Sequence, residues 1–105
     1  MAYQIVVLSQ QSCSGAHWQT IQATVGGGTI VSVAFQNNGN AQNFWVSQMF
    51  PQSATQAYWQ VINSSLTSTQ WWPIVVIDTG DDADAASAAK ATISNVESQP
   101  LSKKE

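Results

Sequence analysis

Cys13 and His17 stand four residues apart in Ser12-Cys-Ser-Gly-Ala-His17-Trp18. On a helix that spacing puts both on one face, where an imidazole can draw the proton from a thiol and leave a nucleophilic thiolate. His17 is the sole histidine and the one side chain whose ordinary pKa lies near neutrality, so it is the candidate catalytic residue and proton carrier. No group nearby orients or charges the pair, because Met1 to Ile77 contains no Asp, Glu, Lys or Arg. The simpler reading is a small buried thiol beside a surface or capping histidine. Carboxylates come late, as Asp78, Asp81, Asp82 and Asp84. They lack the Asp-x-Asp-x-Asp-Gly spacing of a calcium loop and suit a helix start, where negative charge offsets the dipole. One His, one Cys and distant carboxylates make no ligand set, so neither a metal nor a cofactor is expected.

The other conspicuous side chains are aromatic. Trp18 and Trp45 are simplest as core residues, whereas Trp59, Trp71 and Trp72 are hard to bury together in one small domain. With Trp45 and Met49, which share the second face of one predicted strand, these three are the candidate ligand or interface residues. Trp among Asn and Gln, without charge, suits a neutral small molecule such as a sugar or an aromatic metabolite. The surface of the first 77 residues must be kept wet by Gln, Asn, Ser and Thr alone, where ordinary domains carry roughly a quarter charged residues. With no Arg, and Lys only at Lys90, Lys103 and Lys104, nucleic acid and anionic membranes are poor partners. A net charge of -3 confined to one end gives the rest of the surface little repulsion, which favours a homo-oligomer or an assembly partner.

A chain of 105 residues, 44% hydrophobic, is expected to fold as a single domain over residues 1–97 with a frayed tail at 98–105. No run is long enough to span a bilayer, and the start resembles no signal peptide. With one cysteine there is no internal disulfide, so a cytoplasmic or intracellular setting is expected. Asn63-Ser64-Ser65 is an N-glycosylation sequon that matters only in a secreted chain.

The elements that must position these residues follow from periodicity and punctuation. Tyr3 to Ser9 reads as a strand. Ser12 or Ser14 caps a predicted helix with Trp18, Ile21 and Val25 at helical spacing, ended by Gly26-Gly27-Gly28. Thr29 to Gln36 reads as a strand with Thr29, Val31, Val33 and Phe35 on one face, and Asn37-Asn38-Gly39-Asn40 as a hairpin turn. Asn43 to Phe50 is then the pairing strand, with Phe44, Val46 and Phe50 opposite Trp45 and Met49, stopped by Pro51. Ser53-Ala-Thr-Gln56 has the form of a capping box opening a helix to about Leu66. Pro73 to Asp78 is a buried-looking strand, and Asp81 onward a third helix with the stripe Ala85, Ala89, Ile93 and Val96. The order βαββαβ plus α resembles the ferredoxin-like α+β sandwich. A three-layer α/β chain, βαβαβα, is the alternative. Both faces of the strands carry apolar bulk, so the face away from the helices also needs cover from the third helix, a second subunit or a ligand.

Three shorter resemblances bear on function. Asp78-Thr79-Gly80 looks like the Asp-Thr-Gly of the dimeric retroviral-type aspartic proteases, but that family's flap-bearing segment has no counterpart here. Asn43 to Phe50 followed by Ala54 and Ala57 resembles part of an RNA-recognition motif without its basic residue. Ser14-Gly-Ala-His-Trp18 after a strand is similar to an α/β-hydrolase loop, without the Gly-x-Ser-x-Gly or a downstream His. The function expected is a non-catalytic binding or assembly module that self-associates through an apolar sheet face. One alternative is a small cofactor-independent enzyme of monooxygenase or cyclase type, built on a dimeric ferredoxin-like barrel with His17 and Trp in its pocket. The other is a designed or charge-depleted chain without a native function.

Overall fold

The computed structural model describes residues 2–38, 43–80 and 90–101, and these contain strands but no helix. The strands are β1 (Tyr3–Val7), β2 (Gln11–Cys13), β3 (His17–Val25), β4 (Thr29–Asn37), β5 (Phe44–Pro51), β6 (Gln56–Asn63), β7 (Thr69–Asp78) and β8 (Ala91–Pro100). They form two antiparallel sheets. In sheet A, β7 is central, β4 lies on one edge, and β1 and β2 share the other in succession. Sheet B runs β5-β6-β3-β8.

Strict alternation builds the core. Trp71, Pro73, Val75 and Ile77 of β7 face Ala57, Trp59 and Val61 of β6 and Ile21, Ala23 and Val25 of β3, all buried. Two buried indoles tie the sheets together, since Trp59 Nε1 donates to the Ala34 carbonyl at 2.8 Å and Trp71 Nε1 to Gln19 Oε1 at 2.9 Å. Phe44 packs between Phe35 and Trp71 with centroids 6.4 and 6.1 Å away. The thinnest Cα extent, 16 Å, holds two sheets about 10 Å apart, and the described residues form no third layer.

Pro73 explains why one edge of sheet A is broken. The Leu8 N–H donates to the Pro73 carbonyl at 2.9 Å, but proline has no N–H to return. The neighbouring strand stops at Val7, opposite Ile74, and resumes at Gln11, opposite Trp71.

Both the ferredoxin-like α+β sandwich and its α/β alternative are overturned, because the described segments expected to be helical are strands with the turns that join them. In His17–Val25 the helical spacing of Trp18, Ile21 and Val25 competes with the alternation of Gln19, Ile21, Ala23 and Val25. The alternation prevails because those four are buried and Thr20, Ile21, Thr24 and Val25 are β-branched. In the expected second helix, Ala57, Trp59, Val61 and Asn63 alternate inward in the same way. The capping-box bond itself exists, Gln56 N to Ser53 Oγ at 3.1 Å, with Thr55 N on the same hydroxyl at 3.3 Å. It closes the β5–β6 turn instead of opening a helix. The third helix is replaced by β8 from Ala91, and its first part, residues 81–89, lies outside the described residues.

Register also departs from simple alternation. Irregularities between Ile30 and Ser32 and between Val46 and Gln48 turn Ile30, Val33 and Phe35 inward with Val31 out, and Phe44, Val46 and Met49 inward with Trp45 and Phe50 out. The Asn37 to Asn40 turn falls partly outside the described residues, and its flanking strands do not pair: β4 joins β7 and β5 joins β6. Ser98, Gln99 and Pro100, expected in the frayed tail, belong to β8 and pair with Gln19, Trp18 and His17.

Candidate functional site

The turn from β2 to β3 holds the Cys13–His17 pair in a geometry that does not activate the thiol. Cys13 Sγ points to the His17 backbone carbonyl at 3.8 Å. The His17 ring donates from Nδ1 to the Gly15 carbonyl at 2.7 Å. Burial pushes the Cys13 thiol up from 9.0 to about 11, against what a nucleophile needs. The turn itself is tightly made. Ala16 has a φ of 55°, and a Cβ on Gly15 would lie 2.5 Å from the Leu66 carbonyl carbon.

That end of the molecule is organised by Asn63, a residue sequence reasoning saw only as part of a sequon. Its side chain is fully buried. Nδ2 donates to the carbonyls of Cys13 at 3.0 Å and Thr67 at 2.9 Å, while Oδ1 accepts from Ser65 N at 3.1 Å and Ser65 Oγ at 2.6 Å. The sequon asparagine is thus a structural bracket between β2, β6 and the loop after it, closed to modification in the folded protein.

Asp78 ends β7, and its Oδ1 accepts the Gly80 N–H at 2.8 Å, the bond of an Asx turn. Asp81, Asp82 and Asp84 lie outside the described residues. Among the described residues no group of three or more His, Cys, Asp or Glu could hold a metal ion. No helix among them is long and apolar enough to cross a membrane.

The five aromatic and methionine candidates do not converge. Trp59 and Trp71 are core residues with their N–H groups satisfied. Met49 sits on the inner side of edge strand β5, opposite Trp59 and 38% exposed. Trp72 is half-buried on the outer face of sheet A, and Trp45, 46% exposed, is on the outer face of sheet B. The candidate places are therefore the two outer sheet faces.

On sheet A the central rows of that face, between Trp72 and Tyr3, are mainly aliphatic. Val7, Ile74 and Ala34 form one cross-strand row; Ile5, Val76 and Ser32 form the next; Tyr3, Asp78 and Thr29 form the last. Tyr3 is 56% exposed, Ile5 72%, Val7 54% and the bulged Val31 47%. Asp78, at the margin, carries the only formal charge on these rows. No signal short of the register would have separated Ile5 and Val7 from Val6, which faces the core.

No protein-family model, curated protein or solved structure matches the chain. The class is set by its architecture, a sandwich of two antiparallel sheets with both outer faces uncovered among the described residues.

Proposed function

We propose that the protein is a non-catalytic assembly module whose copies associate through the outer face of sheet A. The observation that carries this is the exposure of Ile5, Val7, Val31 and Tyr3 beside Ile74 and Val76, an apolar patch of a kind rare on monomers. A second copy is the partner this face suits best. A face laid on its own twofold mate must not repel itself, and here the rows of Ile5 and Val7 contain no charged residue. A different partner is usually steered and selected by complementary charge, for which these rows offer nothing. Two such faces stack at the ordinary sheet spacing of about 10 Å, and each newly buried aliphatic side chain contributes on the order of 1 kcal/mol.

Sedimentation equilibrium and native mass spectrometry from micromolar to millimolar protein test the reading. The wild-type chain is expected to dimerise, and Ile5→Asp to be monomeric with an unchanged circular-dichroism spectrum, since Ile5 is 72% exposed and makes little of the core. A wild-type monomer at millimolar concentration would refute it. A monooxygenase or cyclase of the dimeric ferredoxin-like barrel type does not fit the two-sheet architecture. The unpaired, buried Cys13 supports an intracellular setting.

A further inference from the structure

The outer face of sheet B differs in chemistry from that of sheet A. Trp45, Ile62 and Trp18 lie directly across from one another on β5, β6 and β3. Their outer strands are separated by two strand spacings, so the tryptophan Cα atoms stand about 10 Å apart. Four residues along β6, or about 14 Å, Tyr58 pairs with Phe50, their ring centroids 5.1 Å apart and their planes 32° apart. Between the aromatic rows runs a polar one, with Gln48 opposite Gln60. Ser47 Oγ donates to Gln60 Oε1 at 2.9 Å, which orients that amide and leaves its N–H bonds for another acceptor. Trp45 and Phe50 are 46% and 42% exposed. Unlike the indoles of Trp59 and Trp71, those of Trp18 and Trp45 donate to no group among the described residues.

We propose that this face binds a neutral oligosaccharide. A sugar chain has apolar C–H faces and hydrogen-bonding O–H edges repeated along its length. An aromatic row, an amide row and a second aromatic row offer both kinds of surface in that order. Indole and phenol rings combine apolar area with a polar edge, which suits a wetted polyol better than the dry aliphatic contact of sheet A. The rows on β5, β6 and β3 hold no formal charge, so phosphorylated or sulfated ligands find no counter-ion. The distance between the rows exceeds one ring, which selects an oligomer over a monosaccharide. This site is independent of the self-association face.

The test titrates the full chain with cellohexaose, xylohexaose, chitohexaose and maltohexaose, followed by tryptophan fluorescence and calorimetry. Saturable binding to at least one is expected, weakened about tenfold by Trp45→Ala, the loss of one ring's stacking. Phe50→Ala gives a second reading on a different row, each variant being checked for native circular dichroism. Ile5→Asp is expected to bind as the wild type does. Absence of saturable binding to all four sugars at millimolar concentration, or binding unchanged in both aromatic variants, overturns the proposal. A dimer that binds no sugar overturns this proposal alone, and a sugar-binding monomer overturns only the assembly reading.

Discussion

Replacing Asn63 by alanine should cost the protein much of its stability, for reasons that can be counted bond by bond. Asn63 is fully buried and gives its two N–H bonds to the Cys13 and Thr67 carbonyls. Thr67 retains a second donor in Ser65 Oγ at 2.9 Å, and the Ser65 N–H lies beside exposed Ser64 and can turn to water. The Cys13 carbonyl, in a buried bond, loses the donor that Asn63 supplied. An unsatisfied buried carbonyl costs about 1–3 kcal/mol, and the small void and lost loop bonds add about 1 kcal/mol more. The sum is about 3 kcal/mol, against total stabilities of about 5–15 kcal/mol for domains in general. Urea unfolding followed by tryptophan fluorescence should show a lower midpoint at unchanged m-value. Asn63→Asp should be worse at neutral pH, because a carboxylate oxygen then faces two carbonyls. Its buried carboxyl would have a folded-state pKa above the unfolded value of about 3.9. The folded state therefore holds the extra proton, and stability falls as pH rises from about 4 through the raised pKa. A loss below about 1 kcal/mol for Asn63→Ala would refute the view that this side chain brackets the end of the sandwich.

Three further expectations follow from other buried or strained positions. Trp71→Phe leaves Gln19 Oε1 without its indole donor and should lower stability by about 1–3 kcal/mol, read from the same urea transition. Gly28→Ala should be at least as damaging, because Gly28 has a φ of 78° and a Cβ there meets Ile77 Cγ2 at 2.5 Å; thermal unfolding checks it. The Cys13 thiol, raised from 9.0 to about 11, stays protonated longer in the folded than in the unfolded chain. Stability should therefore decline between pH 9.0 and about 11, by up to about 3 kcal/mol, and the decline should disappear in Cys13→Ala. Iodoacetamide should correspondingly leave the folded thiol unmodified at neutral pH.

The strands that could be read from the sequence were those rich in β-branched or aromatic residues and bounded by turn or proline signals: Tyr3 to Ser9, Thr29 to Gln36, Asn43 to Phe50 and Pro73 to Asp78. Those misread as helices, His17–Val25 and Gln56–Asn63, contain both periods at once. Trp18, Ile21 and Val25 satisfy the helical template, but Ile21, Ala23 and Val25 satisfy the other, and long-range pairing decided between them. Composition favours strands as well. The uncharged stretch lacks Glu, Lys and Arg altogether and has Leu only at Leu8 and Leu66, so it is stripped of most strong helix formers while rich in Val, Ile, Thr and Trp. Ser53 shows why local signatures mislead: its hydroxyl makes the same bond to Gln56 N in a hairpin turn as in a capped helix. Thr29 and Val31 lie on the face opposite to Val33 and Phe35, and Met49 and Phe50 are exchanged, because a bulge shifts every later residue to the other face.

The expectation that the strands would show apolar residues on both faces came from the sequence, and the structure gives it a sharper form. Of the two outer faces, that of sheet A has aliphatic central rows between Tyr3 and Trp72, and that of sheet B has two aromatic rows flanking an amide row, although both are poor in charge. Proteins usually protect such surfaces and their sheet edges with lysines or inward-pointing charges. Here edge strands β1, β2, β4 and β5 carry no charged residue, and β8 carries only Glu97. Repulsion therefore does little to keep copies apart, and shape and desolvation must decide which surfaces meet. On sheet A the Ile5 and Val7 rows gain by drying, with the Trp72 indole one row beyond them. Sheet B gains less, because the N–H groups of Trp18, Trp45 and Gln60 would be dried without partners, at about 1–3 kcal/mol each. On the proposed reading, the same depletion of charge favours self-association at sheet A and leaves sheet B to a partner that brings hydroxyl groups of its own.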